Sequence, residues 1–170
     1  MHVGSYYINQ RQFDVAIKLF EQIVAAGLKK DLAYFFLGHC YEALGSLPKA
    51  EEMYLMALPL APEPSLVLVE LGNVYLEEKR YQESIGMLVR SIAIGAKFRI
   101  RPSYRPYYFL ALDYSALENY PKSEKMFLKA MALISQNAPQ LSVAGLLILT
   151  YYPLKPKHPN PENNFLRLFF

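Results

Sequence analysis

The chain has 170 residues, a formal net charge of +3, a single cysteine, and hydrophobic side chains at 53% of its positions. The small net charge argues against nucleic acid as a partner, and the apolar content argues against disorder over most of the chain. One cysteine, Cys40, excludes an intramolecular disulfide, and its place on a predicted helix suggests a partly buried thiol.

The first ten residues lack the charged region and apolar run of a secretory signal. The longest apolar run, residues 141–152, is too short to span a bilayer. We therefore expect no membrane insertion and favour an intracellular, cytoplasmic location, although the sequence does not fix the compartment.

Apolar periodicity, glycines and prolines predict an all-α chain. Asp31 and Ser65 are expected to cap the helices that follow them, and Pro48 and Pro121 fit the first turns of theirs. After the remnant of a helix in residues 1–10, the predicted helices are 14–26, 31–44, 48–60, 65–79, 82–95, 107–117, 121–134 and 139–152.

The segment 96–106, AKFRIRPSYRP, forms a predicted basic, aromatic loop with two prolines. Its cations are Lys97, Arg99, Arg101 and Arg105. One interpretation is a solvated connection between helices, because loops commonly carry exposed charge. The other is an electrostatic contact for an acidic partner.

The last predicted helix, 139–152, is apolar on nearly all sides and must be covered on both. Residues 153–170 form a proline-rich tail that ends in FLRLFF. We expect this tail to fold back on the last helix or to meet a partner, which includes self-association through the helix and tail.

The sequence repeats itself every 34 residues. Gly4, Gly38 and Gly72 recur at this distance, and so do Tyr7, Tyr41 and Tyr75. An ordinary helical bundle has no reason to return Gly-x-x-Tyr at a fixed period, so the pattern indicates a repeat protein. Small residues let two helices approach, and the large residues around them fill the remaining space.

Residues 31–64 resemble the tetratricopeptide repeat family, whose pattern of large, small, aromatic and proline positions is met by Tyr34, Leu37, Gly38, Tyr41, Ala50, Tyr54, Ala57 and Pro62. The resemblance implies a right-handed α-α superhelix, or solenoid, of helical hairpins. It assigns residues 1–152 to the repeat array and 153–170 to the tail. The array then holds a partial first repeat, full repeats at about 31–64, 65–98 and 104–137, and the first helix of a fifth.

No catalytic or metal-binding constellation is evident, so we expect neither enzymatic activity nor a cofactor. His2, His39 and His158 lie far apart and outside any metal-ligand spacing. The adjacent acidic pairs, Glu51-Glu52 and Glu77-Glu78, point apart on their helices and are expected on solvated faces. Neighbours on a helix do not face each other, which disfavours a His39-Cys40 dyad.

In the resembled family the first helix of each pair lines a concave groove. Carried over by position, the implied partner-binding residues are Leu32, Phe35, His39, Glu42, Leu66, Val69, Asn73, Leu76, Arg105, Tyr108 and Leu112, with Ser115, Ser142, Leu146 and Leu149 beyond them. Val69 and Phe109 replace polar groups that the family's carboxylate clamp would need. An apolar helix or an extended peptide of a partner therefore fits this groove better.

Two functions remain open at this stage. The first is a non-catalytic scaffold for protein–protein interaction within a larger assembly. The second is a small chaperone or carrier for an aggregation-prone client. The incomplete first unit and the apolar last helix favour the scaffold, because a free-standing solenoid needs polar caps at its ends.

Overall fold

The computed structural model describes residues 2–137, and within them the chain forms α-helices and no β-strand. The predicted helix 139–152 and the tail 153–170 lie outside the described residues. The helices are α1 His2–Asn9, α2 Phe13–Ala25, α3 Lys30–Ala43, α4 Leu47–Ala57, α5 Pro64–Glu77, α6 Tyr81–Lys97, α7 Arg105–Ala116 and α8 Tyr120–Asn137.

The helices predicted between residues 14 and 134 are present, but two predicted caps are wrong. Helix α3 begins at Lys30, one residue before Asp31, and the flanking Lys29 has a left-handed backbone with a φ of 39°. Helix α5 begins at Pro64, because the fixed φ of proline suits the first helical position. Asp31 and Ser65 therefore lie inside the first turns, and neither helix has a side-chain cap.

Consecutive helices pack as antiparallel hairpins around the small residues that define the repeat. A Cβ atom added to Gly38 would lie 2.5 Å from the ring of Tyr54 on α4, and one added to Gly72 would lie 2.7 Å from Leu88 on α6. Gly4 approaches Phe20 in the same way. The close helix contacts predicted at Gly38 and Gly72 are confirmed.

The turn inside each hairpin repeats the same backbone hydrogen bonds. The carbonyl oxygens of Tyr7, Tyr41, Tyr75 and Tyr114 each accept the amide of the residue five places later, at 2.8–2.9 Å. The residue before that donor has a positive φ in every hairpin. These left-handed positions are Arg11 (57°), Gly45 (72°), Lys79 (62°) and Glu118 (58°).

Serines replace alanine at one buried position of the later repeats without loss of packing. Ser84 donates a hydrogen bond to the carbonyl of Gly72 at 2.8 Å, and Ser123 donates to the carbonyl of Ala111 at the same distance. Both hydroxyls are buried and reach the backbone of the partner helix. Their size suits the position, and the hydrogen bond offsets the cost of burying them.

Cys40 is completely buried, not partly buried as expected. It lies in a core cluster with Phe20, Ala33 and Leu37. Burial raises the pKa of its thiol to about 11, which makes it a poor nucleophile.

The basic segment is shorter than predicted. Helix α6 continues to Lys97 and α7 begins at Arg105, so both residues are helical and the connecting loop covers only 98–104. Helix α6 has 17 residues and takes in the first two positions of the predicted loop, 96 and 97. Arg99 and Arg101 are exposed in the loop, and the ammonium of Lys97 lies 5.4 Å from the ring centre of Phe98. None of the helices within residues 2–137 is long and apolar enough to cross a membrane.

Asp113 on α7 is a fully buried acid, and its Oδ1 has no hydrogen-bond partner. Its Oδ2 lies 2.6 Å from the hydroxyl oxygen of Ser84. Because that hydroxyl has a single proton and also contacts Gly72, both contacts are satisfied when a protonated Asp113 donates to Ser84. Burial raises the pKa of Asp113 to about 7 from its ordinary value of 3.8.

Asp113→Asn should flatten the dependence of stability on pH. In the parent, the Asp113 carboxyl ionises near pH 3.8 when the chain is unfolded, but its raised pKa keeps it protonated until about pH 7 when the chain is folded. Stability is therefore lost as the pH rises between these values. The amide carries no charge, so we expect the variant to gain on the order of 4 kcal/mol relative to the parent between pH 4 and pH 8. Urea unfolding at both pH values measures this, and parallel pH profiles would contradict the assignment.

Candidate functional site

Side chains of α3, α5 and α7, the first helices of three successive hairpins, meet across the repeats in one polar network. Helix α3 supplies His39 and Glu42, α5 supplies Glu70 and Asn73, and α7 supplies Arg105. Four of these five residues were implied by the family resemblance. The fifth, Glu70, lies among apolar neighbours and was not.

The central interaction is a bidentate ion pair between Arg105 and Glu70. The two guanidinium nitrogens lie 2.5 and 2.6 Å from the two carboxylate oxygens. The Glu70 side chain is only 2% exposed, and His39 Nε2 lies 3.9 Å from its Oε1. Burial alone would lower the pKa of Arg105, but the hydrogen bonds that it donates to Glu70 outweigh this effect and raise the pKa.

The second interaction joins α3 to α5 through Glu42. Its Oε1 accepts a hydrogen bond from Asn73 at 2.6 Å, and its Oε2 accepts one from the hydroxyl of Tyr54 at 2.7 Å. Asn73 also donates to Glu77 at 3.2 Å. Burial and the neighbouring Glu42 raise the pKa of Tyr54, so its phenol remains a donor. The polar network therefore spans three repeats.

The apolar residues of the implied groove fall into two groups. Phe35 and Val69 are buried in core clusters, so they support the helices and present little surface to a partner. Leu76, Tyr108 and Leu112 are half-buried, whereas Leu32 and Leu66 are 37% and 47% exposed at the beginnings of α3 and α5. The centre of the site is thus polar, contrary to the apolar lining expected from the sequence.

The expectation that the acidic pairs lie on solvated faces is wrong for Glu51 and Glu78. Arg80 contacts both at 2.8 Å, and it also contacts Glu83 at 2.6 Å. Tyr75 donates a hydrogen bond to Glu51 at 2.8 Å. The α5–α6 turn places Arg80 beside α4 of the preceding hairpin, a proximity that spacing along the sequence does not reveal.

The polar network includes one group of potential metal ligands. Ligand atoms of His39, Glu42 and Glu70 lie within 4.8 Å of one another. All four carboxylate oxygens of this group already accept hydrogen bonds from Arg105, Asn73 or Tyr54. A cation there would have to displace these donors and tolerate the adjacent guanidinium, so the residues do not favour a metal site.

The stacked helical hairpins, with polar side chains along one face, define a helical repeat protein. Comparisons with known proteins show which repeat family it resembles. Residues 4–64 match the model of the tetratricopeptide repeat. The chain is 34% identical over 83 residues to the BBSome complex member BBS4 of Bos taurus, a match that covers 49% of this chain. It spans only 16% of the length of BBS4.

Solved structures extend the likeness along the chain. A crystal structure of MamA has a TM-score of 0.66 at 22% identity, and the match covers 78% of this chain and 75% of MamA. The apo form of RapI has a TM-score of 0.75 at 14% identity, over 88% of this chain and 60% of RapI. At these identities the likeness concerns the fold. The direct match to the tetratricopeptide repeat model covers residues 4–64, and beyond it the likeness is one of fold.

Proposed function

We propose that this protein is a non-catalytic scaffold that binds a peptide or helix of a partner protein in the groove of α3, α5 and α7. The observation that carries the proposal is the network in which Arg105–Glu70 and Asn73–Glu42 link three repeats. These links hold the first helices in register before any partner arrives. A surface fixed in advance loses less entropy when it binds.

The groove offers the two kinds of contact that peptide binding uses. His39, with a side chain 34% exposed, and Glu42 provide polar contacts at its centre. Leu32, Leu66 and Leu76 provide apolar contacts around them. The relative BBS4 is by name a member of a complex, which supports a role within a multiprotein assembly.

Changing His39 to Ala together with Leu76 to Ser should strongly reduce capture of the groove partner. Both side chains are half-buried, so we expect the variant to stay folded with a small decrease in melting temperature. Loss of two central contacts should reduce the recovered partner about tenfold or more. Affinity capture from native lysate, quantified by mass spectrometry, measures this effect.

Leu55→Ser with Val89→Ser is the matched control. These side chains are 47% and 50% exposed on α4 and α6, the second helices of their hairpins. The control should recover the same proteins as the parent. A folded groove variant that also recovers them in full would exclude the groove as the binding site.

A further inference from the structure

The turns that connect one hairpin to the next lie together at one edge of the array. Successive helices are antiparallel, so the α2–α3, α4–α5 and α6–α7 connections share the end opposite to the turns within hairpins. We call residues 26–31, 58–63 and 97–104 the turn edge. The groove lies on the helix faces, so the turn edge is a separate surface.

Each connection of the turn edge exposes a large apolar side chain. Leu28 in the first connection is 63% exposed, Leu60 in the second is 49% exposed, and Phe98 in the third is 64% exposed. Tyr104 adds a fourth, at 41%. Single exposed apolar residues are ordinary, but here one recurs in each of three connections at the same edge of the array.

The turn edge is also the basic part of the molecule. It carries five cationic residues, which are Lys29, Lys30, Lys97, Arg99 and Arg101, against two carboxylates, Asp31 and Glu63. Its net charge of +3 equals that of the whole chain, so the positive and negative charges of the remaining residues cancel. Within residues 2–137, Lys97 and Arg99 make no salt bridge, whereas the groove cation Arg105 is neutralised by Glu70.

We propose that the turn edge is a second docking surface, which binds a protein segment that alternates carboxylates with large apolar side chains. The carboxylates of such a segment would lie against the cations at the two ends of the edge, and its apolar side chains would cover Leu28, Leu60 and Phe98. Complementary charge accelerates association and aligns the segment, while apolar burial supplies the affinity.

An anionic membrane also attracts basic and apolar groups, but the turn edge fits it less well. Asp31 and Glu63 lie among the cations and would face the lipid phosphates. The apolar side chains are distributed over three connections instead of one insertion point. A protein segment can match this alternation of charges, whereas a uniformly charged bilayer cannot.

A fluorescent peptide that repeats Glu-Leu-Glu-Phe tests the proposal with the full chain. Fluorescence anisotropy should show saturable binding, and Leu60→Ser with Phe98→Ser should weaken it about tenfold. Lys97→Glu with Arg99→Glu should slow association and reduce its dependence on salt. Peptides with Lys in place of Glu, or Ser in place of Leu and Phe, should bind weakly.

Two control variants separate this surface from the others. Leu55→Ser with Val89→Ser and the groove variant His39→Ala with Leu76→Ser should bind the peptide as the parent does. The proposal is overturned if the acidic peptide does not saturate, or if Leu60→Ser with Phe98→Ser leaves its affinity unchanged. It is likewise overturned if equimolar phosphatidylserine–phosphatidylcholine vesicles bind the parent more tightly than the peptide does and displace the peptide from the turn edge.

Discussion

Replacing Arg105 with Met should lower the free energy of unfolding by about 3 kcal/mol, because it leaves the Glu70 carboxylate buried without a counter-charge. Glu70 is 2% exposed, and both of its oxygens accept hydrogen bonds from Arg105. Removing one partner of a buried pair costs far more than the pair itself contributes. Urea unfolding of the parent and the variant measures this loss.

The double variant Glu70→Leu with Arg105→Met should recover most of that stability, since no charge then remains buried. Arg80→Met is the matched control. Arg80 also contacts several carboxylates, but Glu51 and Glu83 keep 21% and 53% of their side chains exposed and can regain water. If Arg105→Met and Arg80→Met lowered the free energy of unfolding equally, burial of the Arg105–Glu70 pair would not explain the loss of stability.

Replacing Gly38 with Leu should cost about 3 kcal/mol through overpacking. Even the Cβ atom would lie 2.5 Å from the Tyr54 ring, and Tyr54 is itself fully buried and cannot move aside without disturbing the core. The helices α3 and α4 would have to separate. Thermal and urea unfolding would report the loss as a lower melting temperature and midpoint.

Gly86→Ala serves as the control for this change. Gly86 lies in the middle of α6, and no atom lies within 4 Å of a Cβ added there. Alanine should raise stability by roughly 0.5–1 kcal/mol, because it favours the helix more than glycine does. A Gly38→Leu protein as stable as the parent would show that the helix contact is not close.

The repeat architecture could be predicted because its determinants recur. Gly38 and Tyr54 lie in one hairpin, Gly72 and Leu88 occupy the same positions in the next, and the 34-residue period makes both pairs visible in the sequence. Helix ends were less accurate, since Pro64 began α5 one residue before the expected cap. A helix boundary depends on local backbone geometry that the period does not encode.

The polar network could be predicted only in part. His39, Glu42, Asn73 and Arg105 occupy positions that the family resemblance marks, but the positions of Glu70 and Asp113 do not belong to the pattern. One signal was available for Glu70. A carboxylate in the apolar run VLVELG requires a cation if it is buried, and Arg105 lies one repeat further on. No comparable signal in the sequence identifies the partner that binds the exposed groove residues, so binding at these residues stays a prediction.

The left-handed turn position has a consequence for how this array can diverge. Only Gly45 adopts it without strain, while Arg11, Lys79 and Glu118 hold a conformation that costs a side-chain-bearing residue about 1 kcal/mol. The chain follows the same path in all four turns, so the path is set by the backbone and by the tyrosine carbonyl below it. The residue at this turn position is Lys79 in one hairpin and Glu118 in another. Its charge can therefore change by mutation while the backbone geometry of the scaffold stays the same. Such positions let surface chemistry evolve at the expense of a small reserve of stability.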